Sequence, residues 1–379
     1  MKFIHLSDLH LGKKVHEYSM IEDQEYMLKT ILRIIDDENV DAVLLAGDIY
    51  DKPIPPIEAI RLFDGFLVSL AQRNLEVLII SGNHDSAERM TFGSRLMEQR
   101  GIHFAPAYHG EPYTVTLSDA YGNIEFVLLP FIKPIHVKGY FPDKEIADYT
   151  DAVEAALSPL TKDPSLRRVL MTHQFVLGAS RCDSEDIAVG GLDHVDAAIL
   201  DDFDYVALGH IHSPQNVTKP TIRYCGTPLK YSFSEANQEK SATIVTMNEK
   251  GTVHIKTVPL IPKREMYHLR GTYEELTLKS FYEHTTYQQD YIYITLTDEE
   301  DIPDAVSRLQ VIYRNLMKLD YDNERTRNNQ QIEGVEDIET KTPMDLFEEL
   351  YELQNNQPMS EEQRRFASSL MEQVMEVEQ

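Results

Sequence analysis

Apolar and polar positions alternate along the first part of the chain as they do in strands joined by amphipathic helices. An apolar run at residues 2–7 predicts a strand, and apolar residues at helical spacing in 22–37 predict a helix. The next strand is predicted at 41–46, followed by a helix at 57–72 and a strand that ends at Ser81. This alternation favours parallel strands with helical crossovers.

Strand signals outnumber helix signals farther along the chain. Apolar runs at residues 126–129, 168–171 and 205–208 predict strands, and so do the runs at 242–247 and 253–258. We therefore predict an α/β fold in which two β-sheets pack face to face and helices cover the outside.

Composition changes after Pro262, which predicts a domain boundary. Residues 1–262 form the α/β domain in this interpretation. Residues 263–320 form a small α+β domain, with a strand at 291–296 and a helix at 303–318.

The remaining residues predict a linker and a helical tail. Residues 321–341 are polar and charged, which is typical of a linker. In residues 342–379, apolar side chains at helical spacing predict two short helices. Their apolar stripes either pack on the chain's own core or bind a partner helix.

The 379-residue chain is strongly acidic, with a formal net charge of −27. From Ile261 onward there are 26 Asp and Glu against 12 Lys and Arg. Affinity for a nucleic-acid backbone depends mainly on Lys and Arg, so a diffuse positive field cannot attract such a ligand here. If the substrate is a polyanion, bound cations or a partner must supply the attraction.

The two cysteines, Cys182 and Cys225, form no Cys-x-x-Cys pair, and the chain opens directly into a strand without a signal-like apolar segment. No apolar run approaches the roughly 18 residues that suggest a membrane span. The sequence therefore predicts a cytoplasmic protein with no membrane partner.

Five predicted strand ends carry side chains of the types that bind metals. These residues are Asp8 and His10, then Asp48, then Asn83 with His84 and Asp85, then His173, and finally His210 and His212. Mixed imidazole and carboxylate ligands suit first-row divalent metals, and this number of groups is enough for two ions. Two ions about 3.5–4 Å apart need a bridging carboxylate, for which Asp48 is the natural choice.

The order of these motifs resembles the calcineurin-like metallophosphoesterases. The motifs are Asp8-Leu9-His10, Gly47-Asp48, Gly82-Asn83-His84-Asp85, His173 and Gly209-His210-Ile211-His212. A lone Asp-x-His is common, but five motifs in this order on strand ends are specific. The resemblance implies a four-layer sandwich of two β-sheets flanked by helices, with a small α+β capping domain and C-terminal helices.

A closer resemblance is to the SbcD family, the nuclease subunits of bacterial SbcCD complexes. It is carried by residues 5–12, 81–86, 173–176, 209–215 and 224–229, together with 233–235. It covers residues 1 to about 260 well and the remainder only in general organisation. Two positions depart from the pattern, since Thr227 replaces an expected Ser and Ser213 stands where a basic residue is frequent.

The resemblance implies a role for each motif residue. Four residues would surround one metal, namely Asp8, His10, Asp48 and His212. Four would surround the other, namely Asp48, Asn83, His173 and His210. His84 would face the scissile phosphate without binding metal, with Asp85 orienting it, and the nucleophile would be a water. Two Mn²⁺ ions are the implied cofactors.

The resemblance also implies a metal-dependent DNA nuclease that works in DNA repair, recombination and replication. With an SbcC-like ATPase it would act as an ATP-dependent double-strand exonuclease and as a hairpin and single-strand endonuclease. The C-terminal helices at 342–379 would bind the base of the coiled coil of that ATPase. A homodimer in a heterotetramer is implied, through helices near 57–72 and 91–100, with nucleoid association through DNA.

Two other functions fit the same motifs. One is a phosphatase or cyclic-nucleotide phosphodiesterase on the same scaffold, although a compact phosphatase has little use for the capping domain and tail. The other is a metal-free assembly module, against which the full set of ligand residues argues.

Several charged residues and histidines lie outside the motifs. We predict that Asp51 and Glu235 support the site or are solvated, and that Arg89, Lys133 and Lys230 contact phosphate or are ordinary surface charges. The other histidines are predicted to be surface or capping residues: His5, His16, His103, His109, His136, His194, His254, His268 and His284.

Overall fold

A computed structural model describes residues 1–161, 163–180 and 194–329, and in the tail residues 344, 347, 348, 350, 351, 359, 360, 363–368 and 370. Cys182, most of the predicted linker and most of the predicted C-terminal helices lie outside the described residues. The chain divides into two compact units, Met1–Glu265 and Met266–Gln379.

Strands and helices alternate along the first unit and recur in the second. The strands are β1 Lys2–Leu6, β2 Lys14–Val15, β3 Tyr18–Ser19, β4 Ala42–Ala46, β5 Glu76–Ile80, β6 Ile102–Phe104, β7 Tyr113–Asp119, β8 Gly122–Leu129, β9 Arg167–Thr172, β10 Phe175–Val176, β11 His194–Val195, β12 Tyr205–Leu208, β13 Gln215–Val217, β14 Lys219–Tyr224, β15 Ser241–Met247, β16 Val253–Pro259, β17 Met266–Gly271, β18 Tyr291–Leu296 and β19 Asn315–Tyr321. The helices are α1 Ile21–Glu38, α2 Ile57–Ala71, α3 Ala87–Met90, α4 Ser94–Met97, α5 Pro134–Lys138, α6 Tyr149–Leu157, α7 Tyr273–Thr277, α8 Lys279–Tyr282, α9 Ala305–Gln310 and α10 Glu324–Asn329. Short 3₁₀ turns cover Glu98–Arg100, Ala197–Leu200 and Phe233–Glu235.

Two six-stranded sheets form the first unit. The first has the order β16-β15-β1-β4-β5-β6, and the second has the order β13-β14-β12-β9-β8-β7. Strands β1, β4, β5 and β6 are parallel, as are β8, β9, β12 and β14. Antiparallel pairing occurs toward the sheet edges: β15 pairs with β1 and β16, β7 with β8, and β13 with β14.

The core between the two sheets confirms that they pack face to face. The Phe3 ring on β1 contacts Phe126 on β8 and Tyr205 on β12, at centroid distances of 5.7 Å and 5.8 Å. On the outer face of the second sheet, Val153 and Ala156 of α6 join a second buried cluster. Helices α1 and α2 match the predicted helices, and each buries one apolar face.

The register of the parallel strands brings their carboxyl ends to one edge of each sheet. Leu6 pairs with Leu45, and Ala46 pairs with Ile80, so three strands of the first sheet end side by side. In the second sheet Leu208 pairs with Thr172 in the same way. All five strand ends with predicted metal ligands therefore lie at carboxyl edges, where open α/β sheets bind their ligands.

His5 shows where the prediction of a surface histidine is wrong. Its side chain is fully buried, and Nδ1 lies 2.9 Å from the Tyr205 hydroxyl. Because β1 is a central strand covered on both faces, the residue after Ile4 also faces protein. Burial lowers the pKa of His5 to about 3, so the imidazole is neutral near pH 7.

The second unit contains the parallel sheet β17-β18-β19, packed against Leu276 of α7 and Leu309 of α9. The predicted strand at 291–296 is confirmed as β18. The predicted helix at 303–318 is wrong in its second half, since α9 ends at Gln310 and β19 begins at Asn315. Leu316 and Leu319 have helical spacing, but pairing of this segment with β18 decides its conformation.

The segment predicted as a linker begins with structured residues. Tyr321 is the last residue of β19, and α10 covers Glu324–Asn329. Among the residues that the structure describes, no helix is long and apolar enough to cross a membrane.

Candidate metal centre

Four of the predicted ligands lie on turns with left-handed backbone conformations. The φ angles are 53° at Asp8, 43° at His10, 51° at Asp48 and 97° at His210. Non-glycine residues rarely adopt such conformations, which cost of order 1–3 kcal/mol each and cluster at functional sites. These turns therefore hold their side chains in directions that regular backbone would not give.

Backbone hydrogen bonds join the turns after β1 and β4. The Asp8 N–H donates to the Gly47 carbonyl and the His10 N–H donates to the Asp48 carbonyl, each at 3.0 Å. The Asp8 carboxylate accepts from the Ser7 hydroxyl and from the His210 N–H, the latter at 3.1 Å to each oxygen. Asp8 thus ties the edge of the first sheet to the edge of the second.

Two glycines allow the sheet edges to approach. A Cβ atom at Gly82 would collide with the Asp48 carboxylate, and one at Gly209 would collide with the Ala46 carbonyl and the His173 ring. Only a residue without a side chain fits these two positions.

One group of potential ligands lies around Asp8. Ligand atoms of Asp8, His10 and His212 all lie within 4.8 Å of one another. Nε2 of His10 is 3.2 Å from Nε2 of His212 and 3.7 Å from Oδ2 of Asp48. The four residues that the family resemblance implies for one metal are therefore brought together.

A second group lies around Asn83. Its Oδ1 atom is 3.1 Å from Nε2 of His173 and 3.0 Å from Nδ1 of His210. Oδ2 of Asp48 is 3.3 Å from Nε2 of His173. The same Asp48 oxygen therefore faces both groups, as a bridging ligand must.

Burial and mutual charge perturb the carboxylates and imidazoles of the site. Burial raises the pKa of the Asp8 carboxyl to about 6, although the His173 imidazole opposes this effect. Burial opposes ionisation of Asp48 as well, but the His173 and His10 imidazoles outweigh it and lower the pKa of Asp48. Burial lowers the pKa of His10 well below its usual value, which keeps the imidazole neutral and able to bind a metal.

The charge of His173 is set by the carboxylates around it. Burial alone would lower the pKa of its imidazole, but Asp48 outweighs burial and raises that pKa to about 9. A cation bound between these groups would replace the proton as the charge that balances Asp48.

The donor set fits divalent cations. Nitrogen ligands at about 2.1 Å from a metal lie roughly 3.0–3.4 Å from each other in octahedral or tetrahedral sites. The separation of 3.2 Å between His10 Nε2 and His212 Nε2 is within that interval. Imidazole nitrogens combined with carboxylate and amide oxygens suit first-row divalent metals.

His84 lies beside the candidate centre, whereas Asp85 has different partners from those predicted. His84 Nε2 is 3.9 Å from Asp48 Oδ2, and its Nδ1 lies 3.0 Å from the Asp51 backbone carbonyl. The Asp85 carboxylate accepts the N–H groups of Ile49, Tyr50 and Gly82 at 3.0–3.1 Å. The prediction that Asp85 orients His84 is therefore corrected, because Asp85 fixes the backbone of two turns and Asp51 orients the ring.

Sequence reasoning missed two residues that support the turn after β1. Gln24 on α1 donates to the His10 carbonyl at 2.8 Å and accepts from the Gly12 N–H at 3.0 Å. The Tyr231 hydroxyl donates to the Leu9 carbonyl. Neither residue has a local signal, since both lie far along the chain from the turn that they hold.

A cleft of about 920 Å³ opens beside the second group of ligands. Asn83 and His210 line it together with Lys133, whose ammonium is 6.0 Å from the centroid of the Phe131 ring. By contrast, Lys230 is held by Glu265 at 2.5 Å and by the Ala236 carbonyl. Of the predicted basic candidates, Lys133 is the one that lies at this cleft.

Comparisons with known proteins show the family of the chain. The sequence model of the family described as calcineurin-like phosphoesterase matches residues 1–214. This match covers more than half of the chain, which therefore belongs to the calcineurin-like phosphoesterases, a class of metal-dependent phosphoesterases. A second model, described as the Type 5 capsule protein repressor C-terminal domain, matches residues 262–355.

Within this class the chain belongs to the SbcD family. It is 30% identical over 382 residues to the SbcD subunit of the nuclease SbcCD from Staphylococcus epidermidis, and the match covers 100% of both chains. Similar solved structures include a dimetal phosphatase from Danio rerio, with 13% identity, 69% and 99% coverage of this chain and that chain, and a TM-score of 0.40. Another is Yfce, a phosphoesterase from E. coli, with 12% identity, 69% and 100% coverage and a TM-score of 0.29.

Substitution of Gly82 by Ala tests whether the approach of the two turns shapes the centre. We expect Gly82→Ala to displace the Asp48 carboxylate and to weaken binding of divalent cations, because the new methyl group would collide with Asp48. Isothermal titration with Mn²⁺ measures this loss. Gly65→Ala on α2 is the control, since a Cβ there meets nothing within 4 Å; equal Mn²⁺ affinity in both variants would contradict the prediction.

Proposed function

We propose that this chain is a metal-dependent DNA nuclease subunit that hydrolyses phosphodiester bonds at two divalent cations. Together with an SbcC-like ATPase it would cut double-stranded ends with ATP as an exonuclease and open hairpins or single strands as an endonuclease. The observation that carries the proposal is the full-length identity of 30% to the SbcD subunit of the nuclease SbcCD. The converging ligand groups support it, because they supply the donor set that such hydrolysis needs.

The ligands are proposed to divide between the two cations as the family resemblance implies. Asp8, His10 and His212 would hold one cation, while Asn83, His173 and His210 would hold the other, with Asp48 shared. Mn²⁺ is the proposed ion, since a mixed nitrogen and oxygen donor set suits it. Two bound cations would supply Lewis acidity and a water activated for in-line attack on the phosphate.

His84 is proposed to move a proton at Nε2. Its Nδ1–H donates to the Asp51 carbonyl at 3.0 Å, so the second ring nitrogen is the one that gains or loses a proton. Nε2 points toward the Asp48 carboxylate at 3.9 Å, and so lies at the edge of the centre. From there the protonated ring could donate to the leaving oxygen.

The proposed domain organisation keeps the four predicted segments. Residues 1–262 would form the nuclease domain and residues 263–320 the capping domain. Residues 321–341 would connect them to the partner-binding helices at 342–379. The tail residues that the structure describes include exposed apolar side chains, Leu350 at 52% and Phe366 at 67% exposure. Exposed apolar side chains on helical segments are typical of partner-binding faces.

A second apolar surface supports the proposed homodimer. Phe92 and Leu96 are 86% and 74% exposed, and Ile57 and Ile60 on α2 are exposed as well. A groove of about 590 Å³ is lined by Ile60, Phe92 and other residues of these two segments. Exposed apolar side chains that line a groove are typical of interaction surfaces.

The nuclease activity is tested with a labelled DNA duplex and a labelled hairpin. We expect the purified chain to cleave DNA when Mn²⁺ is present, and to degrade duplex ends when the ATPase and ATP are added. Asp48→Asn is the negative control, because it removes the shared carboxylate. Turnover of a phosphoprotein or cyclic nucleotide without DNA cleavage, with and without the ATPase, would refute the nuclease proposal in favour of a phosphatase or cyclic-nucleotide phosphodiesterase.

Substitution of His84 by Ala separates proton transfer from metal binding. We expect His84→Ala to retain both Mn²⁺ ions while hydrolysis falls by about 10²–10⁴-fold, because a general acid is lost and no ligand is removed. Elemental analysis and single-turnover cleavage measure the two effects.

His103→Ala is the matched control, since that ring pairs with Glu76 at 3.0 Å away from the metal centre. Loss of a metal ion in His84→Ala would instead show that His84 is a metal ligand. Its ligand atom lies within 4.8 Å of ligand atoms of His10 and Asp48, so that role is geometrically possible.

Truncation before Thr342 tests the partner surface. We expect the shortened chain to keep its Mn²⁺-dependent hydrolysis and its dimeric mass but to lose co-elution with the ATPase on a sizing column with light scattering.

The double variant Leu350→Ala/Phe366→Ala should also weaken the complex with the ATPase. Ile135→Ala is its control, because Ile135 is similarly exposed on α5. Unchanged complex formation by the truncated chain would refute the tail as the binding site, and a monomeric mass would refute the homodimer.

A further inference from the structure

We propose that Glu235, together with Lys240, is a positioning residue for the cation that His212 binds. The inference rests on the proposed dinuclear centre and adds a buried ion pair that fixes one of its ligands. Neither residue belongs to the ligand groups, and both lie on the segment between β14 and β15.

Glu235 faces the ring of His212 on the side away from the centre. Its side chain is fully buried, and Oε1 is 3.5 Å from Nδ1 of His212. Nε2 of the same ring points at Nε2 of His10, 3.2 Å away. A carboxylate beside Nδ1 favours the tautomer with its proton there, which leaves Nε2 with the lone pair that a metal needs.

Lys240 holds both Glu235 and the backbone of His212. Its ammonium donates to Oε2 of Glu235 at 2.5 Å, to the His212 carbonyl at 2.9 Å and to Oε1 of Gln238 at 2.8 Å. The three protons of a lysine ammonium are therefore matched by three acceptors. The buried ion pair of Glu235 and Lys240 therefore holds the His212 ring and backbone in place. Removal of either residue would leave the charge of the other buried and uncompensated.

Thr227 completes the contacts around His212. Its N–H donates to the His212 carbonyl at 3.1 Å, and its hydroxyl donates to Oε2 of Glu235 at 3.3 Å. The Tyr231 N–H donates to the other Glu235 oxygen at 3.3 Å. Ring and backbone of His212 are thus both held from this one segment.

The second cation has different support. Nδ1 of His173 lies 2.8 Å from the backbone carbonyl of Ala46, so the main chain orients that ring. Loss of the Glu235 charge should therefore affect one of the two ions and spare the other. This split distinguishes a positioning role from a general loss of stability.

The test is a Mn²⁺ titration of the purified full-length chain carrying Glu235→Gln. We expect one of two binding steps to weaken by about 10–100-fold, the range typical when the partner of a ligating histidine is removed, with the other step unchanged. Electron paramagnetic resonance should show the coupled two-ion signal replaced by that of a single Mn²⁺ at intermediate concentrations.

Glu125→Gln is the matched control. Glu125 on β8 forms an ion pair with Arg168 at 2.5 Å and lies outside the centre. The variant Glu235→Gln/Lys240→Gln has no uncompensated charge and should show the same split if the single variant folds poorly. The inference would be overturned if both Mn²⁺-binding steps of the two Glu235 variants had wild-type affinity. It would also be overturned if Glu125→Gln lost as much Mn²⁺ affinity as Glu235→Gln.

The wild-type titration separates this inference from the proposed function. If the wild-type protein binds one Mn²⁺ ion, the dinuclear centre is refuted. The role of Glu235 is then supported if Glu235→Gln lowers the affinity for that ion, and it is refuted if the affinity is unchanged. Wild-type protein that binds no Mn²⁺ refutes both.

Discussion

The rest of the site depends on the contacts that the Asp48 carboxylate makes with both sheets. It leaves β4 of the first sheet, yet one of its oxygens lies 3.3 Å from His173, which follows β9 of the second sheet. The carboxylate and imidazole charges that meet there are buried, so they must be compensated by each other or by cations. Because the two sheets pack face to face, charged side chains from both sheet edges meet in one buried site. Their charges must therefore be neutralised together.

That arrangement has a conformational cost. Four of the proposed ligand residues have positive φ angles, at a cost of about 1–3 kcal/mol each. Glycines occupy the two positions where a Cβ atom would collide with the neighbouring turn or strand. The compensation comes from elsewhere in the fold. Buried rings between the sheets, Asp85 on three backbone N–H groups, and Gln24 and Tyr231 beneath the turn after β1 all hold the strained backbone in place.

Net charge gives the metal centre a second role. Many basic side chains in the described part of the first unit pair with acidic ones: Arg167 with Asp119, Arg168 with Glu125, Lys13 with Asp51 and Lys240 with Glu235. A chain of net charge −27 has no diffuse positive field to attract an anionic backbone. In the proposed nuclease, bound cations and a partner would supply that attraction.

The sequence by itself determined the α/β class, helices α1 and α2, and the set of residues that meets at the site. It could do so because apolar runs followed by Asp, Asn and His mark strand ends, and because parallel strands align their carboxyl ends. Only the tertiary structure decided what surrounds those residues. Asp85 binds backbone rather than His84, His5 is buried rather than exposed, and residues 315–318 belong to a strand rather than to a helix. Local pattern records the period and polarity of a segment, whereas hydrogen-bond partners and burial depend on which distant segments the fold brings into contact.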